Sequence, residues 1–296
     1  MRMGKAFILF CILVYSFSPA GLAASGKMNL NVKSAILMNA DTGRILYAQN
    51  ADRQIQPASL TKILSLYLIN EAVGKGKVHP GDYVRISKKA RKASGSRMFV
   101  EYGTSVQLED LIKGMAVVSA NDASIAAAEY IAGSEDKFVA QMNIKARELG
   151  MRHSCFKNSN GLPANGQTST ARDILKLSHE YIKRFPDALN IHAMQFYEYN
   201  HINQHNRNRF LKMYPEVDGL KTGFVCEAGY HIVVTAKKDH ARLIAVVMGA
   251  ATHRIRTRET KKLLDAGFRM LDNETRNTVV PSGAPLRDRN NRTSDR

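Results

Sequence analysis

Apolar patterning divides this 296-residue chain in a way that few folds accommodate: strand-like runs lie at both ends and helical stretches between them. Residues 33–39 and 44–48 read as strands joined by Ala40-Asp41-Thr42-Gly43, the chemistry of a hairpin turn. From residue 59 to 73 the period changes, with Leu60, Ile63, Leu64, Tyr67, Leu68 and Ala72 recurring at helical spacing. Helical spacing continues at residues 108–118, 122–132, 135–149 and 171–183. Strand character returns at 230–236 and 241–248, and an amphipathic helix at 256–270 closes the domain. No internal repeat is visible. Strands first and last, with helices between, predict an α/β fold: an antiparallel sheet flanked by helices, with a large helical insertion.

Composition then limits function. With 44% hydrophobic and 23% charged residues the chain is ordinarily globular, which excludes collagen-like, low-complexity and wholly disordered classes. A formal charge of +17 favours polyanionic partners such as nucleic acid, anionic lipid or acidic wall polymers, and the sign alone does not choose among them. Nucleic acid is disfavoured, because the basic residues are spread along the chain with no recognisable binding module. Arg2 and Lys5 precede an apolar run from residue 6 to 17, followed by Pro19 and small residues to Ala24, the composition of a secretory signal. That run is shorter than the roughly 20 residues of a membrane-spanning helix, which disfavours an uncleaved anchor. The expected organisation is a signal peptide over 1–24, one domain over 25–272 and a polar, basic tail read as disordered over 273–296. The protein is expected to be exported, to the periplasm or the outer face of the cytoplasmic membrane, with at most weak contact with the membrane surface. Cys11 falls in the signal. Cys155 and Cys226 are left to pair or to stay as two buried thiols. His201 and His205 are four residues apart, but no H-E-x-x-H or third ligand accompanies them, so no metal and no cofactor is expected.

Three short motifs carry chemistry. Ser59-Leu60-Thr61-Lys62 puts a hydroxyl and an amine three residues apart, as neighbours on one helical face. A serine needs a base to become a nucleophile, and a desolvated lysine near another cation can be that base. The plain alternative is a capping serine and a solvated lysine. Ser119-Ala120-Asn121 starts a helical stretch, and its plain reading is a helix cap; functionally, the hydroxyl could relay a proton and the amide could bind a substrate carbonyl. Lys221-Thr222-Gly223 falls on a strand, where lysine and threonine suit a carboxylate and glycine permits close backbone approach. Its plain alternative is an edge-strand lysine that discourages aggregation.

In this order the motifs match the S-x-x-K, S-D-N and K-T-G set of class A β-lactamases and penicillin-binding proteins. The chain resembles the low-molecular-mass penicillin-binding proteins, the serine-type D-alanyl-D-alanine carboxypeptidases of peptidase family S11. The resemblance runs from about Ala35 to Phe268 and takes in Gly95-Ser96-Arg97-Met98, Asn160-Gly161-Leu162, Asn206-Arg207-Asn208 and Val246-Val247-Met248-Gly249-Ala250. It implies a β-lactamase/transpeptidase-like fold with Ser59 as nucleophile, Lys62 as general base and Ser119 in the proton path. It also implies that Asn121 holds the substrate backbone and that Lys221 and Thr222 receive its terminal carboxylate. Arg207 and Arg256 are implied to lie at or near the site, and the N–H groups of Ser59 and Phe224, the latter following Gly223, to form the oxyanion hole. The implied activity is removal of the terminal D-Ala from peptidoglycan stem peptides through an acyl-enzyme, with inhibition by β-lactams. The alternatives are a D,D-endopeptidase, a β-lactamase, disfavoured for want of a well-placed deacylating glutamate, and a catalytically idle wall-binding protein. The chain ends at Arg296, too soon after Phe268 for the C-terminal β-rich domain of many such carboxypeptidases, so the resemblance is to the short form. Cys226 reads as a buried small hydrophobe, and the oligomeric state is left open.

Overall fold

The computed structural model describes residues 28–279. The expected signal over 1–24 and residues 280–296 of the expected tail lie outside these. Strands β1 (Ser34–Asn39) and β2 (Ile45–Gln49) form the expected hairpin. A 3-10 turn, Ala58–Leu60, then leads into α1 (Thr61–Gly74). A helical body follows: β3 (Tyr83–Arg85), α2 (Lys88–Arg91), β4 (Ser105–Gln107), α3 (Leu108–Lys113), α4 (Asn121–Ala132), α5 (Glu135–Glu148), α6 (Ala171–Arg184) and α7 (Ala188–His192). The small hairpin of β5 (Phe196–Tyr199) and β6 (Ile202–His205) and a 3-10 turn at Arg209–Lys212 lead back to the main sheet. Strands β7 (Val217–Val225), β8 (Gly229–Lys238) and β9 (Ala241–Ala250) complete that sheet, and α8 (His253–Val279) covers it.

The sheet order is β2-β1-β9-β8-β7, antiparallel throughout. The first and last strand groups therefore meet side by side, with Ser34 opposite Met248 and Asn39 opposite Leu243. The helical region is an excursion between them. Both faces of the central strands are covered, so these strands read as continuous apolar runs. Ile36, Met38, Ile244 and Val246 point into the helical body with α1 and α6, while Ala35, Leu37, Leu243 and Ala245 point to Leu263, Leu264 and Phe268 of α8.

Several expectations change. The stripe predicted for α1 is too narrow. Leu66 and Ile69 are fully buried as well, because this helix runs through the middle of the helical body and is covered on nearly every side. The single helix expected at 108–118 is α3 followed by a π turn, Gly114–Val118, that ends at Ser119 in the left-handed region (φ 64°). The tail boundary at 272 falls inside α8, which continues to Val279. Helix growth is cooperative, and Glu274 is held by the Arg44 guanidinium at 2.6 Å, so falling apolar content does not end the helix. His201 sits in the β5–β6 turn and His205 on β6, so the two do not share a helical face. Cys155 and Cys226 are both free, and Cys226 is exposed rather than buried.

Because Leu263 packs only into the layer between sheet and α8, Leu263→Ala should cost roughly 2–5 kcal/mol of stability. Thermal denaturation should show a lowered Tm, while the far-UV circular dichroism spectrum at low temperature should be unchanged.

Candidate active site

Ser59 sits in the 3-10 turn just before α1, and the backbone is forced into shape there. Ala58 has φ 49°, a left-handed conformation that costs a non-glycine residue about 1–2 kcal/mol. Two glycines make room for the turn. A Cβ on Gly161 would overlap the Ala58 carbonyl, and one on Gly223 would crowd Pro57 O at 3.2 Å and Ser59 N at 3.3 Å. The turn is thus gripped between the loop after Asn160 and strand β7, with the Ser59 N–H beside that strand.

Lys62 follows in the first turn of α1 and is completely buried, which overturns the reading of a solvated lysine. Its Nζ lies 2.6 Å from Asn121 Oδ1, 2.6 Å from the Asn160 carbonyl and 3.4 Å from Ser59 Oγ. Burial pushes its pKa well below the usual lysine value, and the charge of Lys221 pushes in the same direction. A neutral amine has two protons and one lone pair. The two close carbonyl oxygens accept both protons, which leaves the lone pair for the Ser59 hydroxyl. The 3.4 Å separation is loose, as is usual before substrate draws such a pair together.

Each acceptor is itself held. Asn121 donates its Nδ2 to the Ser94 carbonyl at 2.7 Å and its backbone N–H to Ser96 O at 2.7 Å. Flipping this amide would set NH2 against the lysine amine and oxygen against a carbonyl, so its orientation is determined. Asn160 is fixed through its neighbour: Ser159 donates both N–H and Oγ–H to Glu135, while the Ser159 carbonyl accepts from Ser65 and Ser124. Asp122, next to Asn121, accepts from the N–H groups of Met98, Phe99 and Val100 and so pins the loop opposite.

Lys221 is buried on β7, the edge strand, and donates to the Thr222 carbonyl at 3.1 Å. Burial, then the charges of Arg207 and Arg256, lower its pKa to about 7. Behind the strand His192 is neutral, its pKa lowered to about 4 by burial and by Lys221. Its Nδ1–H therefore donates to the Leu220 carbonyl at 3.0 Å, and its Nε2 accepts from the Tyr181 hydroxyl at 3.2 Å. A cavity of about 1020 Å³ opens over these groups, lined by Ser59, Ser119, Asn121, Thr222, Phe224 and Arg256 among others. Arg207, also on its wall, is held by its backbone N–H to Val117 O at 3.1 Å.

The structure thus brings together every site residue read from the sequence: Ser59, Lys62, Ser119, Asn121, Lys221, Thr222, Gly223, Phe224, Arg207 and Arg256. Sequence reasoning missed Asn160, Asp122 and His192 as members of the site. Asn160 acts through a main-chain carbonyl, for which no residue type is diagnostic. His192 stands on a short helix far along the chain, and only packing takes it behind β7. Asp187 stands just before that helix.

Comparison with known proteins agrees with this geometry. Residues 22–252 match the family described as Peptidase S11, D-alanyl-D-alanine carboxypeptidase. The chain is 39% identical over 279 residues to D-alanyl-D-alanine carboxypeptidase DacF of Bacillus subtilis (strain 168), over 90% of this chain and 71% of that protein. Penicillin binding protein 5 from Haemophilus influenzae superposes with a TM-score of 0.80 at 37% identity, over 84% of this chain and 73% of that one. Penicillin-Binding Protein D2 from Listeria monocytogenes, in its cefotaxime bound form, superposes with a TM-score of 0.76 at 29% identity, over 82% of this chain and 100% of that one.

Two titrations follow from the buried lysines. A role for Lys62 as the base predicts a kcat/KM that rises as pH rises through its depressed pKa. A role for Lys221 in attracting a carboxylate predicts a kcat/KM that falls as pH rises through about 7. Lys221→Arg should remove the descending limb from a pH profile of kcat/KM, because guanidinium stays charged. Asn121→Asp would give the Lys62 ammonium an anionic partner, so the ascending limb should move to higher pH.

Proposed function

The chain belongs to the D-alanyl-D-alanine carboxypeptidase family, and from that membership we propose that it is an exported serine D,D-carboxypeptidase acting on peptidoglycan stem peptides. The observation that carries this reading is the Lys62 amine, stripped of water, with two carbonyls taking its protons and Ser59 Oγ next to it.

Lys62 removes the hydroxyl proton as Ser59 Oγ attacks the carbonyl between the last two D-alanines. The N–H groups of Ser59 and Phe224 receive the oxyanion. The C–N bond then breaks, its electron pair goes to the leaving nitrogen, and the proton held by Lys62 passes to that nitrogen by way of Ser119. D-Alanine departs and leaves an ester on Ser59. Water, deprotonated by Lys62, attacks the ester, and the proton returns to Ser59 Oγ as the shortened peptide leaves. Asn121 holds the substrate backbone on one wall. Lys221 and Thr222 on the other take the terminal carboxylate, and Arg256 reinforces its charge. A β-lactam acylates Ser59 by the same attack and, lacking a leaving group that diffuses away, blocks the site. Export, to the periplasm or the outer face of the cytoplasmic membrane, accords with the location of the substrate. No helix among the described residues is long and apolar enough to cross a membrane.

Intact mass after incubation with a fluorescent penicillin should show one adduct per chain on the wild type and none on Ser59→Ala. Muropeptides ending in D-Ala-D-Ala should lose one D-alanine. Folded wild-type protein that takes no adduct and releases no D-alanine would overturn this reading in favour of a wall-binding protein without catalysis.

A further inference from the structure

His231 is a titratable side chain that the reaction just described leaves unused. It is fully buried on β8, with its Cα opposite Gly223 of β7, the glycine against which the serine turn rests. The pairing of β8 with β9 is interrupted here. Tyr230 lies opposite Ala250 and Ile232 opposite Val247, so β9 bulges across from His231. The Gly249 N–H in this bulge donates to His231 Nδ1 at 2.9 Å. A backbone N–H can only donate, so Nδ1 is bare and the proton of a neutral ring sits on Nε2. Burial, with the charges of Lys33 and Arg256 acting the same way, lowers the ring pKa to about 4 and keeps it neutral near neutral pH. The Nε2–H then donates to the Gln56 carbonyl at 3.0 Å.

Gln56 is where the chain enters the serine turn. Just before it, Ile55 is fixed by two backbone hydrogen bonds with Ser169, and beyond the turn α1 begins at Thr61. Pro57 has no N–H, and its carbonyl accepts from Leu60 within the turn. Among the described residues, the bond from His231 is therefore the hydrogen bond that ties residues 56–58 to the main sheet. A strained conformation such as that of Ala58, with φ 49°, persists only where its surroundings over-determine it. Gly161 and Gly223 give the turn clearance, which has no direction. A hydrogen bond from a rigid ring has one. Ser59, next in the chain after Ala58, carries both the hydroxyl and the N–H of the proposed reaction, so the tether acts on both groups at once.

We propose that His231 is a positioning residue: it fastens the Gln56 carbonyl to the β8–β9 bulge and so holds the Ser59 Oγ and N–H in place against β7. It touches neither the substrate nor the reacting atoms. In the proposed reaction both acylation and deacylation pass through an oxyanion at the Ser59 N–H, so loss of the tether slows whichever step limits turnover. Substrate binding falls to Asn121, Lys221 and Thr222, and the His231 ring is hydrogen-bonded to none of these. This inference rests on the proposed serine peptidase function and adds a residue to its support.

The test measures kcat and KM on an acyl-D-Ala-D-Ala peptide for the wild type, His231→Leu and His231→Gln, at a temperature where circular dichroism shows each to be folded. Leucine has no donor. Glutamine carries an amide N–H about as far from the backbone as Nε2, so it can bond Gln56 again. His231→Leu should lower kcat about 10- to 100-fold, the scale of a slightly misplaced reacting group, with KM changed less than about threefold. His231→Gln should bring kcat back to within about fivefold of the wild type. A His231→Leu kcat within about twofold of the wild type overturns the positioning role, whatever its KM. A folded His231→Gln as slow as His231→Leu overturns it too. If His231→Leu does not fold, nitrogen NMR of histidine-labelled wild type decides the matter. Near neutral pH the His231 ring should carry its proton on Nε2 alone, and an Nδ1–H or doubly protonated ring overturns the tether. Wild-type turnover with an unchanged leucine variant removes the positioning role alone. A wild type that neither releases D-alanine nor takes a penicillin adduct removes the proposed function along with it.

Discussion

An amine with no access to water governs the arrangement of this site. The burial of Lys62 makes its charged form costly, by several kcal/mol for an ion without adequate compensation. Neutralising it requires that nearby acceptors use its protons without contributing a full negative charge. Carbonyl oxygens meet that requirement and a carboxylate would not. Asn121 Oδ1 and the Asn160 carbonyl are the two that touch it, while Asp122, one residue further, is occupied with backbone N–H groups. The supporting contacts follow from this need. Ser94 and Ser96 orient one amide, and Glu135, held by Lys89 at 2.8 Å, orients Ser159 and so the other carbonyl.

A second buried lysine at the same site sharpens the effect. Lys221 is placed by the edge strand and Lys62 by the central helix, and after burial it is the Lys221 charge that disfavours protonation of both Lys62 and His192. The helical body carries the buried Lys62 amine beside Ser59 and β7 carries Lys221, so the candidate site is the cleft between these two units. Gly161 and Gly223 permit the approach at the one point where both units touch the serine turn. His192 stiffens the rear of the strand as part of a relay in which Asn70 donates to Tyr181 at 3.2 Å and Tyr181 donates to the histidine.

Much of the fold could be read from the residues because its signals are local. Alternation and turn chemistry at Ala40-Asp41-Thr42-Gly43 specify a hairpin wherever it occurs, and the spacing of Leu60, Ile63, Leu64 and Tyr67 specifies a helix. The π turn before Ser119 is not legible in the sequence, since no residue type marks it; in the structure Met98 packs closely against Gly114, at its start. Nor was the extent of α1 burial, because a sequence period shows one apolar face and does not count the neighbours that cover the others.

The sequence by itself determined the chemical parts: a serine and lysine one helical turn apart, a serine–asparagine pair at a helix start, a lysine–threonine–glycine on a strand, and arginines enough to meet anions. These are properties of residue type and short spacing. Only the tertiary structure decided what those parts become. It took water away from Lys62, aimed the Asn121 oxygen rather than its nitrogen, and brought the Asn160 carbonyl across the chain. Those outcomes depend on desolvation and on contacts between residues far apart in sequence, which residue type and spacing alone do not specify.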